Sequence, residues 1–441
     1  MNRSETRPGH WRNWAGNQSA DPIEIATPAS VEELANVIGR AAVAGRRVKA
    51  VGSGHSFTGI AVADDLQIQL ERLQGITSVD RETGRVRVLA GTRLADLNPL
   101  LWTLGLAMPN LGDIDAQTIA GAIATGTHGT GAGLPGLAAA VRAIRIVTAD
   151  GRDRWCSPDV EPDLFAAARV GLGALGVIAE YEIACLPAYL LRAREEPARL
   201  GDVLDGLDAR LEAHRHLEFY WFPHTDRVQI KVNDRAPEAD FAPLPRWRER
   251  VDDDLSANVL FERINRLAAA RPTLTPRINQ ISARALSARE YVDRSYRVFC
   301  TRRSVRFVES EYAVPRAALV PVLTELRRWI DRSGATLPFP VEVRFAAADD
   351  IWLSTGYDRA NAYIAIHQYH RLDHRPYFAA FEAIVAEHAG RPHWGKLHTL
   401  DAPRLRALYP RFDDFRAVRE AVDPGRTFTN TYLELVLGLG V

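Results

Sequence analysis

Lysine is almost missing from this 441-residue chain: Lys49, Lys231 and Lys396 stand alone among 55 basic residues, and the rest are arginine. A lysine kept inside a motif is not interchangeable with arginine there, because an ammonium is a compact point charge with a tunable pKa. Lys396, within His393-Trp394-Gly395-Lys396-Leu397-His398, is a candidate on that ground. Cysteine is equally scarce. Cys156, Cys185 and Cys300 are far apart and odd in number, which excludes a disulfide framework and suits reduced thiols in a cytoplasmic protein. No apolar run approaches the roughly 20 residues of a membrane helix, and the opening MNRSETRPGHWRNW has no hydrophobic core of a secretory signal. Net charge is zero, 55 basic against 55 acidic residues, so nucleic acid is excluded as a main partner. Internal repeats and low-complexity tracts are absent. What remains is an ordinary globular composition, 46% apolar and 25% charged, in a chain long enough for two domains.

The most informative segment is Val51-Gly52-Ser53-Gly54-His55-Ser56-Phe57, which follows an expected strand, Arg47 to Val51. Glycines admit positive φ and close backbone approach, so successive N–H groups can converge on an anion such as a diphosphate. A tight turn carrying a surface histidine is the plain alternative. A second glycine-rich region runs from Asn110 to Gly133, for which a packed helix and loop is the plain reading. A third, Gly171-Leu172-Gly173-Ala174-Leu175-Gly176, satisfies G-x-G-x-x-G, but it follows a helix and opens a strand. A dinucleotide fingerprint needs the reverse order, which argues against a Rossmann fold.

From about Pro22 to Leu186 the pattern mixes short strands and helices. Ser30-Val31-Glu32-Glu33 opens a helix like a capping box, reaching about Ala44. Hairpins are expected at Thr83-Gly84 and Asp150-Gly151, and helices over Arg93 to Leu104 and near Asp163 to Val170. Residues Glu218 to Val232 read as two strands, Asn233 to Asp254 as an irregular excursion. From Phe307 the order is strand FVESEYAV, helix Arg316 to Ser333, strands VEVRFA and AYIAIHQY, helix Pro376 to Ala389, an antiparallel sheet with helices on one face. The tail beyond Arg391 reads as loop-rich and returning to the first domain. Glu342 and Arg344 lie two apart in an apolar strand and share a face; an exposed ion pair is the plain alternative to a site. His367, His370 and His374 carry no ligand set at metal spacing. His367 is either a lining residue of a pocket or a structural histidine.

Four segments together, VGSGHSF at 51–57, GDIDAQTIAGAIATGTHGTG at 112–131, VEVRF at 341–345 and HWGK at 393–396, resemble the flavin-linked oxidoreductases of the vanillyl-alcohol-oxidase type. Within them the chain is most similar to the sugar-1,4-lactone oxidases and dehydrogenases (gulonolactone, arabinonolactone) and the related alditol oxidases. The resemblance runs from Trp14 to Tyr432. It implies an α+β protein of two domains: a PCMH-type FAD-binding domain over 20–188, an antiparallel-sheet cap or substrate domain over 189–391, and a C-terminal segment, 392–441, returning to the first.

It further implies FAD bound covalently through His55, with Gly52, Ser53, Gly54 and Ser56 on the diphosphate. No cysteine falls within 112–131, so a single link is implied. Gly112, Thr118, Gly121, Thr125, Thr127, His128 and Gly129 would wrap the cofactor from the other side, and the backbone of Ile178 would meet its adenine end. Arg344, held by Glu342, and Lys396 would be catalytic, with Asp113 and His367 at the substrate. Asp113 departs from the serine of alditol oxidases and of many lactone oxidases, and a carboxylate there changes how substrate hydroxyls are held, while Gly112 matches the position where bulk limits access of oxygen. The implied substrate is an aldono-1,4-lactone such as L-gulono-1,4-lactone. An alditol is the alternative, and a flavin-binding protein without turnover the remote one. The acceptor is O2 or a protein or dye.

Overall fold

The computed structural model describes residues 9–245, 260–301 and 304–438. Among the described residues, three larger sheets and two two-stranded ones form. The first is a small parallel one, built from β1 (Glu24–Ala26), β2 (Val48–Val51) and β3 (Leu66–Gln69) in the order β1-β3-β2. Helix α1 (Val31–Val43) joins β1 to β2. The Ser30 side chain accepts from Glu33 N at 3.1 Å, as the capping pattern requires, while Glu33 Oε2 accepts from Ala29 N at 2.7 Å. Leu34 and Ile38, one turn apart, are fully buried against Val48 and Ile68.

The second sheet is antiparallel. It contains β4 (Ile76–Asp80), β5 (Arg85–Leu89), β6 (Val141–Val147), β7 (Asp153–Cys156) and β8 (Val177–Ala184) in the order β7-β6-β8-β5-β4. Both expected hairpins form, with Gly84 at φ +70° and Gly151 at φ +72° supplying the left-handed turn residue. Helices α2 (Leu94–Thr103), α3 (Ile119–Ala124) and α4 (Pro162–Ala168) lie between these strands in sequence.

The third sheet has eight strands. These are β9 (Leu190–Arg199), β10 (His216–Trp221), β11 (Arg227–Ala236), β12 (Arg289–Arg294), β13 (Phe307–Pro315), β14 (Val341–Ala346), β15 (Asn361–Tyr369) and β16 (Arg391–Pro392). Their order is β12-β9-β11-β10-β14-β15-β13-β16, and every pairing is antiparallel. Helices α5 (Leu319–Ser333) and α6 (Arg375–Ala386) pack together, with Trp329 stacked on Tyr377 at 5.8 Å. The irregular excursion expected from Asn233 begins later, because β11 continues to Ala236 in register with β9; residues 246–254 of it lie outside the described residues.

The tail is more helical than its sequence suggested. It forms α7 (Ala402–Leu408), α8 (Phe412–Val422) and α9 (Thr431–Leu437). Asp401 and Asn430 cap the first and last of these by accepting from Arg404 N and Leu433 N, signals that short helices make easy to overlook. The tail docks on the first sheet: Val48 N donates to Thr427 O at 2.7 Å, and Asn430 Nδ2 donates to Gly59 O and Val62 O. Among the described residues no helix is long and apolar enough to cross a membrane.

Candidate active site

Two cavities, of about 360 and 530 Å³, share His55, Ser56, Gln117 and Thr125 and so form one bent cleft. The first limb is lined by Gly52 to Ser56 on one side and by Thr118, Gly121, Thr125 and Ile178 on the other. The loop is built to bring backbone to a ligand. Gly54 sits at φ +69°, and a Cβ on Gly52 would stand 2.4 Å from Thr118 Oγ1. Thr118 is committed to its own task, capping α3 by accepting from Gly121 N. Among the described residues no protein acceptor takes the N–H groups of Ser53 to Ser56, and the buried Ser53 Oγ has no hydrogen-bond partner. Orphan donors on a half-buried loop that lines a cleft suit an external acceptor, and a diphosphate has the right chemistry. The residues present fit a dinucleotide.

His55 stands at the bend. Trp14 stacks on its ring at 5.7 Å and 24°, and burial, Lys396 and Arg93 push its pKa down to about 4 against a smaller upward pull from Asp113. The imidazole is therefore neutral at physiological pH, with its lone pair available.

The second limb gathers charge. Glu342 and Arg344 on β14 are buried, on one face, and directly paired. Arg344 Nε also donates to Glu218 on β10 at 3.0 Å, and its Nη2 lies 3.6 Å from Asp113 Oδ2. Lys231, on β11, stands behind Glu218 at 3.6 Å and donates to Val298 O at 3.1 Å. Burial would raise the Glu218 pKa, but Arg344 and Lys231 outweigh it and hold it below the ordinary value. The guanidinium, flanked by three carboxylates, is held well above its ordinary value in spite of burial. Tyr220 donates to Glu342 Oε1 at 3.1 Å.

Across the limb, β13 contributes Glu309 and Glu311, two apart and therefore on one face. Lys396 Nζ is 2.5 Å from Glu309 Oε2, and these two carboxylates keep it protonated against burial. Glu311 Oε1 lies 3.1 Å from His128 Nε2, whose ring stacks on Tyr363 at 3.6 Å. Burial would raise Glu311, yet His128 above all holds it well below the carboxylate range. Gly112, Asp113, Thr127, His128 and His367 line this limb too.

Of the residues singled out in the sequence, Gly129 alone lines neither limb. A Cβ there would lie 2.2 Å from Leu111 O and 2.5 Å from Asn110 Oδ1, so its glycine serves packing beneath the wall. Sequence reasoning missed Trp14, Glu218, Lys231, Glu309, Glu311 and His393. Glu309 and Glu311 repeat the alternation that exposed Glu342 and Arg344, and Glu218 is a lone acid in the apolar run His216–Trp221; each was a detectable signal.

Residues 181–436 match the family model described as D-arabinono-1,4-lactone oxidase, and residues 22–157 the model described as FAD binding domain. An L-gulono-1,4-lactone dehydrogenase of Mycobacterium tuberculosis is 42% identical over 97% of this chain and 99% of its own. An L-gulonolactone oxidase of Bos taurus is 34% identical over 97% and 98%, and an alditol oxidase of a Streptomyces species 32% identical over 96% and 98%. Among solved structures, a cholesterol oxidase from B. sterolicum superimposes with a TM-score of 0.82 over 97% of this chain and 96% of its own, at 16% identity, a likeness of fold.

Proposed function

We propose that this chain, which belongs to the D-arabinono-1,4-lactone oxidase family, oxidises a secondary alcohol of an aldono-1,4-lactone, L-gulono-1,4-lactone or a close relative, with FAD as its redox cofactor. One observation carries the reading: the loop with orphan N–H donors opens, at His55, directly into a limb holding Glu342, Arg344 and Lys396. FAD, when bound, supplies an acceptor for two electrons and the hydrogen of the carbinol carbon. The chain's own residues do the rest. Gly52, Ser53, Gly54 and Ser56, with Thr118, Gly121, Thr125 and Ile178, hold the cofactor, and Gly112, Thr127 and His128 border it at the bend. His55, as a neutral imidazole, is the residue assigned to covalent attachment. Arg344 receives the reacting hydroxyl and stabilises its oxygen, while the Glu342 carboxylate, which fixes and polarises the guanidinium, takes the departing proton. Lys396 supplies a preorganised positive charge where negative charge accumulates. Asp113 and His367 orient the remaining oxygens of the substrate. The organisation into a cofactor domain over 20–188, a substrate domain over 189–391 and a returning segment over 392–441 belongs to the same reading, as do a cytoplasmic location and reoxidation by O2 or by a protein or dye acceptor.

The experiment is anaerobic mixing of the flavin-loaded protein with candidate lactones and polyols while flavin absorbance is followed. Rapid bleaching by an aldono-1,4-lactone and slow bleaching by xylitol or sorbitol is the expected result. The reverse order would install the alditol reading, and no bleaching by either class would remove turnover.

A further inference from the structure

The third glycine cluster, 171–176, is the one motif with no part in the chemistry above, and it lies against the least expected lysine. Lys49, on β2, is 3% exposed, and its Nζ donates to Leu172 O at 2.9 Å and Gly173 O at 3.3 Å. Both residues lie in left-handed backbone, Leu172 at φ +55° and Gly173 at φ +63°. For leucine that conformation is strained, and it turns two successive carbonyls onto one ammonium. The turn leads directly into Val177 and Ile178, and Lys49, Leu172, Gly173, Leu175, Gly176 and Ile178 all line the first limb of the cleft.

No carboxylate pairs with Lys49 among the described residues. The charged side chain that acts on it is a cation, Arg419 of α8, itself fully buried with its nearest carboxylate, Asp423, at 3.8 Å. Lys49 thus stands beside a cleft fitted to a dianion with a second buried cation, and no carboxylate, acting on it. Burial first, then Arg419, pulls the Lys49 pKa down to about 7, so the cofactor-free site carries a charge it can shed.

We propose that Lys49 is a positioning residue for the cofactor, clamping the 171–176 turn into the wall of the dinucleotide cleft and presenting that wall with a positive charge only the bound dianion compensates. This rests on the reading that the first limb holds FAD. Binding then draws a proton onto Lys49 near and above neutral pH, and affinity falls as pH rises. A lysine of merely structural value would behave otherwise, since replacing it would leave the proton count of FAD binding unchanged.

The test uses the full-length His55→Ala chain, in which attachment cannot obscure equilibrium, titrated calorimetrically with FAD and with riboflavin at pH 8 in buffers of differing ionisation enthalpy. FAD should bind with uptake of a proton, and riboflavin, lacking phosphate, without it. Adding Lys49→Met should abolish the uptake and weaken FAD about ten- to a hundredfold, and loss of the bonds to Leu172 O and Gly173 O should lower the melting temperature of the cofactor-free protein, an effect to which the proton count is blind. Lys49→Arg should recover part of the affinity. FAD binding within twofold of the parent by the Lys49→Met chain, with the same proton count, overturns the proposal and leaves the FAD reading standing. Failure of the His55→Ala parent to bind FAD at all overturns that reading and this one with it.

Discussion

Arg344 shows how much of the site depends on a single side chain. Its guanidinium bonds Glu218 through Nε and pairs with Glu342 and Asp113 through Nη2, so its position is fixed before any substrate arrives. Arg344→Ala removes the cation and leaves two buried acids, Glu218 and Glu342, and the half-buried Asp113 repelling one another. Flavin reduction by substrate, measured anaerobically in a stopped-flow instrument, should slow by roughly two to three orders of magnitude, and a rate near the parent's would take Arg344 out of the mechanism. His55 makes a claim of another kind. Acid-precipitated holoprotein should remain yellow and a tryptic peptide containing His55 should gain the mass of FAD; free flavin in the supernatant sinks covalent attachment. Gly112 concerns the acceptor. A Cβ there would sit 3.4 Å from both His128 O and Thr127 Cγ2, ordinary contact, so Gly112→Ala should fold normally. If the bare glycine is what admits oxygen, the variant should make less hydrogen peroxide per turnover and keep its rate of reduction by substrate. Asp113 opposes oxygen reduction with its negative charge, but Arg344 at 3.6 Å offsets it. A parent enzyme that stays reduced in air and discharges to cytochrome c would overturn the steric argument.

At the scale of elements, the first half of the chain was readable because its signals are local. Capping at Ser30, glycine turns at Gly84 and Gly151, and strand alternation each act within a few residues, and each formed as expected. Legibility failed where the cause was distant. The limb of the site on β13 needs Glu309 to meet Lys396, 87 positions along the chain, and no spacing rule announces that pairing. Gly129 is a different case: it sits in a cofactor-like motif and lines neither limb, and a Cβ there would meet Leu111 O and Asn110 Oδ1 beneath it. The diphosphate loop illustrates a contact between elements that can be tested. Gly52 is required by Thr118 on the facing helix, so Gly52→Ala should lower bound flavin per protein, read from the 450 to 280 nm absorbance ratio, by roughly tenfold or more if the loop must retreat from the ligand. Adding Thr118→Ala removes the colliding Oγ1 and should restore part of the flavin, at a cost of about 1 kcal/mol in stability for the lost helix cap. Equal flavin content in Gly52→Ala and parent would show that the approach of backbone to ligand does not matter there.

The whole molecule is closed by a seam at which the C-terminal segment meets the glycine loop. Phe57 N donates to Gly395 O at 2.7 Å, Thr58 Oγ1 to Trp394 O at 3.0 Å, and His398 Nε2 lies 2.8 Å from Tyr432 Oη. Three of the histidines on this seam are held neutral by burial: His55 and His398 at about 4, His393 at about 3. His216, buried beneath Phe299, is also near 4. In the unfolded chain each titrates near the ordinary value of 6.5. Between about pH 6.5 and 4 the unfolded state therefore binds more protons than the folded one, and stability is lost as pH falls through that window. The depressed carboxylates Glu218 and Glu311 act in the same direction below about 4.5, because protonation breaks the pairs with Arg344 and His128. Lys49 has no share in this limb, since its folded value lies near 7 and its unfolded one at 10.5. The melting temperature at constant ionic strength should thus decline steeply from pH 6.5 to 4. Because three of the four histidines sit where the tail covers the cleft, flavin fluorescence should rise along with the loss of far-ultraviolet dichroism or ahead of it. A melting temperature level across that interval would mean that the seam admits water and that these imidazoles are not held neutral.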